Sequence, residues 1–317
     1  MQTRKLGLNG PEISPIVLGG NVFGWTADES ESFRILDRAL DLGIFSIDTA
    51  DVYSRWVPGH EGGESETVLG NWFRKSGRRN RVLVATKAGL EMGEGKSGLS
   101  ARYIAQAVEA SLRRLQTDHI DFYLTHHDDP KTPMGETLEA LDKLVRAGKV
   151  RWIGASNYTG ARLAEAMETS ASSSLSAFVC LQPHYNLLVR AEFESDLLPV
   201  IERYGLGVIT YFSLAAGFLT GKYQRGMDVS NVPRGRTVAK YLNDSGFAIV
   251  DALVEVAAAL HSTPSAIALA WLLSRPGVTA PIASVTQAGQ LDDLAAAARL
   301  QLDSASLQRL NQVSAPA

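Results

Sequence analysis

Asp48 and Tyr53 stand five positions apart in the segment SIDTADVYSRW (46–56), just past a short apolar run. A carboxylate closing a strand and a phenol in the loop beyond it can address one small volume. There the first holds charge and the second gives or takes a proton. Two groups of the same kind follow: Lys87 closes the apolar run VLVAT, and His126 and His127 close IDFYLT. A lysine at a strand end can be no more than a solvated cap. Drawn out of water beside an aspartate, it becomes a buried cation with a counter-charge. A phenol next to such a cation is expected to ionise below its usual pKa of about 10, which makes it a proton donor near neutral pH.

These residues can act together only if the chain brings the ends of different strands to one place. Strand-type runs fall at IVLGG (16–20), IFSID (44–48), VLVATK (82–87), IDFYLTHH (120–127), VRWIGAS (150–156), AFVCLQ (177–182), GVITYF (207–212) and VTAPIAS (278–284). Amphipathic helical patterns separate them, such as Leu138, Leu141, Leu144 and Val145 closed by Gly148, or Phe247, Val250, Leu253, Val254 and Val256. Eight strand-then-helix units without a linker describe an α/β fold, a (β/α)8 TIM barrel forming a single domain over 1–317. KLGLNGPEIS, ahead of the first unit, reads as an N-terminal hairpin. The segment 213–245, after the seventh strand, is longer than a simple connection and is expected to be a lid.

In such a barrel the active site lies at the C-terminal strand ends. Those ends carry Asp48 with Tyr53 beyond it, Lys87, the two histidines, Ser156 with Asn157, Gln182, Tyr211 and Ser284. The alternation of a strand puts Phe122, Leu124 and His126 on one face and Tyr123, Thr125 and His127 on the other. Only one of the two histidines can therefore look into the barrel.

Composition narrows the partners. The chain is 45% apolar and 21% charged with a formal charge of −3, and no Lys/Arg cluster is long enough to track a phosphate backbone. A small molecule, not a nucleic acid, is the expected partner. No stretch is long and apolar enough for a membrane span, and MQTRKLGLNGPEISP does not read as a signal peptide. The lone Cys180, within AFVCLQ, reads as a buried hydrophobe, so a cytoplasmic location is expected.

Asp48, Tyr53, Lys87 and His126 together resemble the catalytic tetrad of the aldo-keto reductases. The resemblance covers the whole chain through IDTADVYS, VATKAG, IDFYLTHHDD, GASNY, LQPHYNLL, YFSLAAGFLTGKY and PIASVTQAGQLDD, in family order on the expected strands. It implies reduction of an aldehyde or ketone by nicotinamide hydride, with Tyr53 as general acid tuned by Lys87 and Asp48, and His126 orienting the substrate. It implies that Ser156, Asn157 and Gln182 hold the carboxamide of the nicotinamide and that Tyr211 stacks on its ring. Ser213, Leu214, Lys222, Ser284, Thr286, Gln290 and Asp293 are the further cofactor contacts it implies. NADP(H) is the expected cofactor, with NAD(H) as the alternative. Thr286 stands where the family often places a basic side chain, and no Lys or Arg occurs between Arg275 and Arg299. Phe23, Trp25, Trp56 and His127 are expected at the substrate rim, for a carbonyl compound or a sugar. Two rivals remain. One is a metal-dependent hydrolase, which needs more histidines at strand ends than the chain has. The other is a nucleotide-binding regulatory subunit with the same fold and little turnover.

Overall fold

The computed structural model describes residues 1–232 and 234–316. Two short strands, β1 (Arg4–Lys5) and β2 (Glu12–Ile13), pair antiparallel as the expected hairpin. Eight parallel strands follow: β3 (Val17–Gly19), β4 (Ser46–Asp48), β5 (Leu83–Ala88), β6 (Ile120–Thr125), β7 (Val150–Ser156), β8 (Cys180–Gln182), β9 (Gly207–Thr210) and β10 (Val278–Ala283). They close in sequence order, with β10 pairing back onto β3. Around them run α1 (Glu29–Asp41), α2 (Glu64–Ser76), α3 (Ala101–Leu115), α4 (Met134–Arg146), α5 (Gly160–Ser172), α6 (Leu198–Tyr204), α7 (Gly235–Val238), α8 (Asp244–Ala259), α9 (Pro264–Leu273), α10 (Leu291–Ala297) and α11 (Ser304–Val313). Side-chain caps start several of these helices: Asp28 accepts from Glu31 N, Ser100 from Tyr103 N, and Asn243 from Gly246 N. No single helix among the described residues is long and apolar enough to cross a membrane.

Strand alternation creates two apolar cores. Val17, Ala85, Phe122, Leu124, Cys180, Ile209, Ala280 and Ile282 fill the barrel interior. Ile47, Val84, Tyr123, Ile153, Leu181 and Val208 point the other way, into the layer under the helices. Leu6 and Ile13 of the hairpin belong to the interior cluster and close the barrel at its N-terminal end. Gly7 makes this closure possible. Its φ is +62°, and a Cβ there would lie 2.5 Å from the Gly207 nitrogen. Continuing the inward parity upward from the interior core leads to Asp48, Lys87, His126, Ser156, Gln182, Tyr211 and Ser284, so one periodicity aims the whole set at one end of the barrel.

The segment 213–245 is more ordered than a bare loop. It contains two 3-10 turns, Ala215–Thr220 and Ala239–Tyr241, together with α7. Phe218 anchors it, its ring lying against Tyr223, Tyr241 and Phe247 of α8.

Candidate active site

Lys87 lies at the centre of the site, with its side chain fully buried and the Asp48 side chain 2% exposed. The ammonium makes three kinds of bond: to the Asp48 carboxylate at 2.7 and 2.8 Å, to the Thr49 carbonyl at 2.8 Å, and to the Tyr53 oxygen at 2.9 Å. That satisfies all its donors. Tyr53 in turn donates to Asp48 Oδ2 at 3.0 Å, and Gln182 Nε2 donates to Asp48 Oδ1 at 2.8 Å. Burial lowers the Lys87 pKa, and Asp48 opposes that shift. A hydrophobe-lined barrel could not hold either charge alone.

The Tyr53 phenol behaves differently from the expectation that Lys87 would depress it. Burial first, then the charge of Asp48, hold its pKa well above the ordinary value. Desolvation penalises phenolate, and the Asp48 charge and hydrogen bond act in the same direction, so the resting group is a neutral phenol. His126 is neutral too, since burial and then Lys87 push its pKa well below the usual value. Its buried Nδ1 has no hydrogen-bond partner. The His126 and Tyr53 rings lie 6.0 Å apart, centre to centre.

Above this group lies a cavity of about 810 Å³ whose walls include Asp48, Tyr53 and His126. Ser156, Asn157, Gln182 and Tyr211 line it, and so do Ser213, Leu214 and Lys222 from the long segment. Ser284, Thr286, Gln290 and Asp293 line its far end. The expected cofactor-contact residues thus share one wall system. Tyr211 donates to Asn157 Oδ1 at 2.6 Å, and Asn157 Nδ2 donates to the His126 carbonyl at 2.8 Å. Gln290 Oε1 accepts from the Thr286 amide at 2.8 Å and binds its own loop.

Three of the four expected rim residues do not line the cavity. Phe23 is fully buried in the layer beneath the helices, because the β3–α1 loop folds it inward. His127 is exposed, with Nδ1 2.7 Å from the Asp128 carbonyl, as the opposite strand parity to His126 requires. Trp56 does line the cavity and is 50% exposed. Trp25 lies behind it edge-on at 5.6 Å. Leu90 and Phe212, which the sequence reading left out, complete this apolar end.

Arg234 is the main functional candidate that the sequence reading missed. It lines the cavity with Lys222, and burial lowers its pKa. Among the described residues neither cation has a carboxylate within salt-bridge distance. The signal was present in NVPRGR, inside the long segment, but nothing local distinguishes its two arginines. Beside these cations the backbone turns left-handed at Ala215, Ala216 and Gly217, with φ of 48, 57 and 93°. The Ala215 and Gly217 amides of this turn donate to the Phe212 and Leu214 carbonyls, at 2.7 and 2.8 Å, so anion binding here falls to the two cations. A Cβ at Gly217 would lie 3.1 Å from Lys222 Nζ, so glycine leaves the ammonium room beside the turn. The donor set fits a dinucleotide, with two cations for its diphosphate and an aromatic ring with side-chain amides for its nicotinamide. Among the described residues no group of three or more His, Cys, Asp or Glu side chains could hold a metal ion.

A tyrosine bonded to a buried Lys–Asp pair, beside a cavity of nucleotide size, on a closed (β/α)8 barrel is the combination this chain presents. The family model described as Aldo/keto reductase family matches residues 15–315. An uncharacterized oxidoreductase of Bacillus subtilis, YrpG, is 36% identical over 99% of this chain and 96% of its own. A probable voltage-gated potassium channel subunit beta of Oryza sativa is 32% identical, over 92% of this chain and 89% of its own. An L-glyceraldehyde 3-phosphate reductase of Escherichia coli is also 32% identical, over 92% and 86%. The chain belongs to the aldo/keto reductase family and is an NAD(P)H-dependent oxidoreductase.

Proposed function

We propose that this protein reversibly reduces an aldehyde or ketone to an alcohol with NADPH, using Tyr53 as general acid. The observation that carries the reading is the closed Asp48–Lys87–Tyr53 group facing the cavity. When bound, the reduced nicotinamide supplies the hydride. Tyr53 donates its phenolic proton to the carbonyl oxygen. The phenolate left behind lies 2.9 Å from the Lys87 ammonium, which stabilises it at the moment it forms. General acid catalysis of this kind contributes about 10²–10⁴ in rate. His126, neutral and with an unpartnered ring nitrogen, accepts or donates a hydrogen bond to orient the substrate. Gln182 holds Asp48 in place with one amide hydrogen. Lys222 and Arg234 hold the diphosphate. Trp56, Leu90 and Phe212 support an apolar carbonyl substrate at the open end.

The test is loss of absorbance at the reduced-nicotinamide band with NADPH and an aromatic aldehyde, then with a panel of ketones and sugars. Steady turnover supports the reading, and tight nucleotide binding without turnover on any carbonyl overturns it. That second outcome would favour a regulatory role, a reading supported by the relatives named as channel beta subunits.

A further inference from the structure

We propose that His184 is a positioning residue: its imidazole, stacked on Tyr211, fixes the rotation of the tyrosine ring and so the plane on which the nicotinamide lies. The inference rests on the reading that Tyr211 is the platform for the nicotinamide ring.

The argument starts from what holds the Tyr211 ring. Its hydroxyl donates to Asn157 Oδ1 at 2.6 Å. The oxygen sits on the line from Cβ through the ring, which is the axis about which the ring turns. A bond to an atom on that axis pins the tip of the side chain and restrains rotation only weakly. Only a contact against a ring face can stop the turn. His184 makes that contact, with ring centres 5.3 Å apart and planes 19° apart. Phe212 meets Tyr211 at 58° and offers no parallel face.

The backbone builds this stack. Past the ends of β8 and β9 the two strands stay in register, with a parallel bridge between His184 and Tyr211 and a bond of 3.0 Å from Tyr211 N to the Pro183 carbonyl. The two side chains therefore leave neighbouring strands at one level. Asn186, fully buried, braces the arrangement: its Nδ2 donates to the Phe212 carbonyl at 2.9 Å, and its Oδ1 accepts from Leu188 N and Val189 N. Phe212 closes on His184 edge-on at 5.4 Å. Burial, then Lys240, push the His184 pKa down to about 4, so the imidazole is neutral across the working range and the stack does not change with pH. A neutral ring suits a place behind a platform whose ligand becomes cationic on oxidation.

The experiment compares wild type with His184→Ala and His184→Phe. In ligand-free protein carrying tyrosine labelled with carbon-13 at the ring ε positions, Tyr211 is assigned by its loss in Tyr211→Phe. Wild type and His184→Phe are expected to show two ε signals, and His184→Ala a single averaged one. With NADPH deuterated on one or the other face of C4, wild type and His184→Phe transfer from one face only. His184→Ala transfers detectably from both, with turnover down roughly tenfold while nucleotide affinity stays within about threefold, the scale of one lost ring stack. Unaveraged ε signals and one-face transfer in His184→Ala would overturn the proposal. So would failure of His184→Phe to restore both, since the parallel ring face would then not be the cause. If wild type binds neither nucleotide, the functional reading fails separately, and the ligand-free signals still decide whether His184 restrains the ring.

Discussion

Replacing Lys87 with Met removes a fully buried ammonium and leaves the Asp48 carboxylate in place. Two neutral donors then remain on that anion, Gln182 Nε2 at 2.8 Å and the Tyr53 phenol at 3.0 Å. Breaking a buried ion pair from one side costs about 3–5 kcal/mol, because the other charge stays behind. The sign of the pH dependence follows. An unpaired buried Asp48 has a folded-state pKa above its unfolded value of about 4, so the variant loses stability as pH rises through that interval. Urea unfolding at pH 5.5 and pH 8 should show the gap to wild type widening at the higher pH. Adding Asp48→Asn removes the stranded charge. The double variant should recover more than half of the lost stability while remaining inactive, which separates the structural role of the pair from its chemical one. A single variant within about 1 kcal/mol of wild type at pH 8, or a double variant no more stable than the single, would refute a buried, mutually compensating pair. Near-normal turnover in Lys87→Met would refute the chemical role.

Tyr53→Phe should hold turnover below about a tenth of wild type with nucleotide affinity nearly unchanged, read by single-turnover kinetics and fluorescence titration. Arg234→Ala should weaken NADPH and NADH alike, by about 10- to 100-fold, as the loss of one charged contact to the shared diphosphate requires. The wild-type preference for NADPH should stay below about a hundredfold in dissociation constant, because Thr286, Gln290 and Asp293, not a cation, line the far end of the cavity. Asp51, buried near Glu66 and raised by burial from 3.8 to about 7, costs stability as pH climbs between those values. That rise is worth roughly 4 kcal/mol at full ionisation. Asp51→Asn should flatten the fall in unfolding midpoint from pH 5 to pH 8, and an unchanged slope would show that the carboxyl is not the group responsible.

Much of the fold follows from local pattern. All eight expected strands occur: six are trimmed at their ends, as where IFSID becomes Ser46–Asp48 and AFVCLQ becomes Cys180–Gln182, VRWIGAS keeps its bounds, and VLVATK moves on by one residue to Leu83–Ala88. The hairpin and its place before β3 were legible in the same way.

The chain alone determined which residues could meet. A period of two along each strand decides that only one of His126 and His127 can face the axis, and seven short segments in order, which identify the family, select His126. What only the tertiary structure decided depends on neighbours that are distant in sequence. Phe23 left the rim because a loop folded it under the helices, and Arg234 reached the cavity because Phe218 anchors the long segment on α8. His184 acquired a partner through a register between two strands. The Tyr53 phenol stays neutral at rest because its protonation depends on burial and on the nearby charge of Asp48. Charge sign can be read from residue type, but desolvation and distance exist only once the chain is folded.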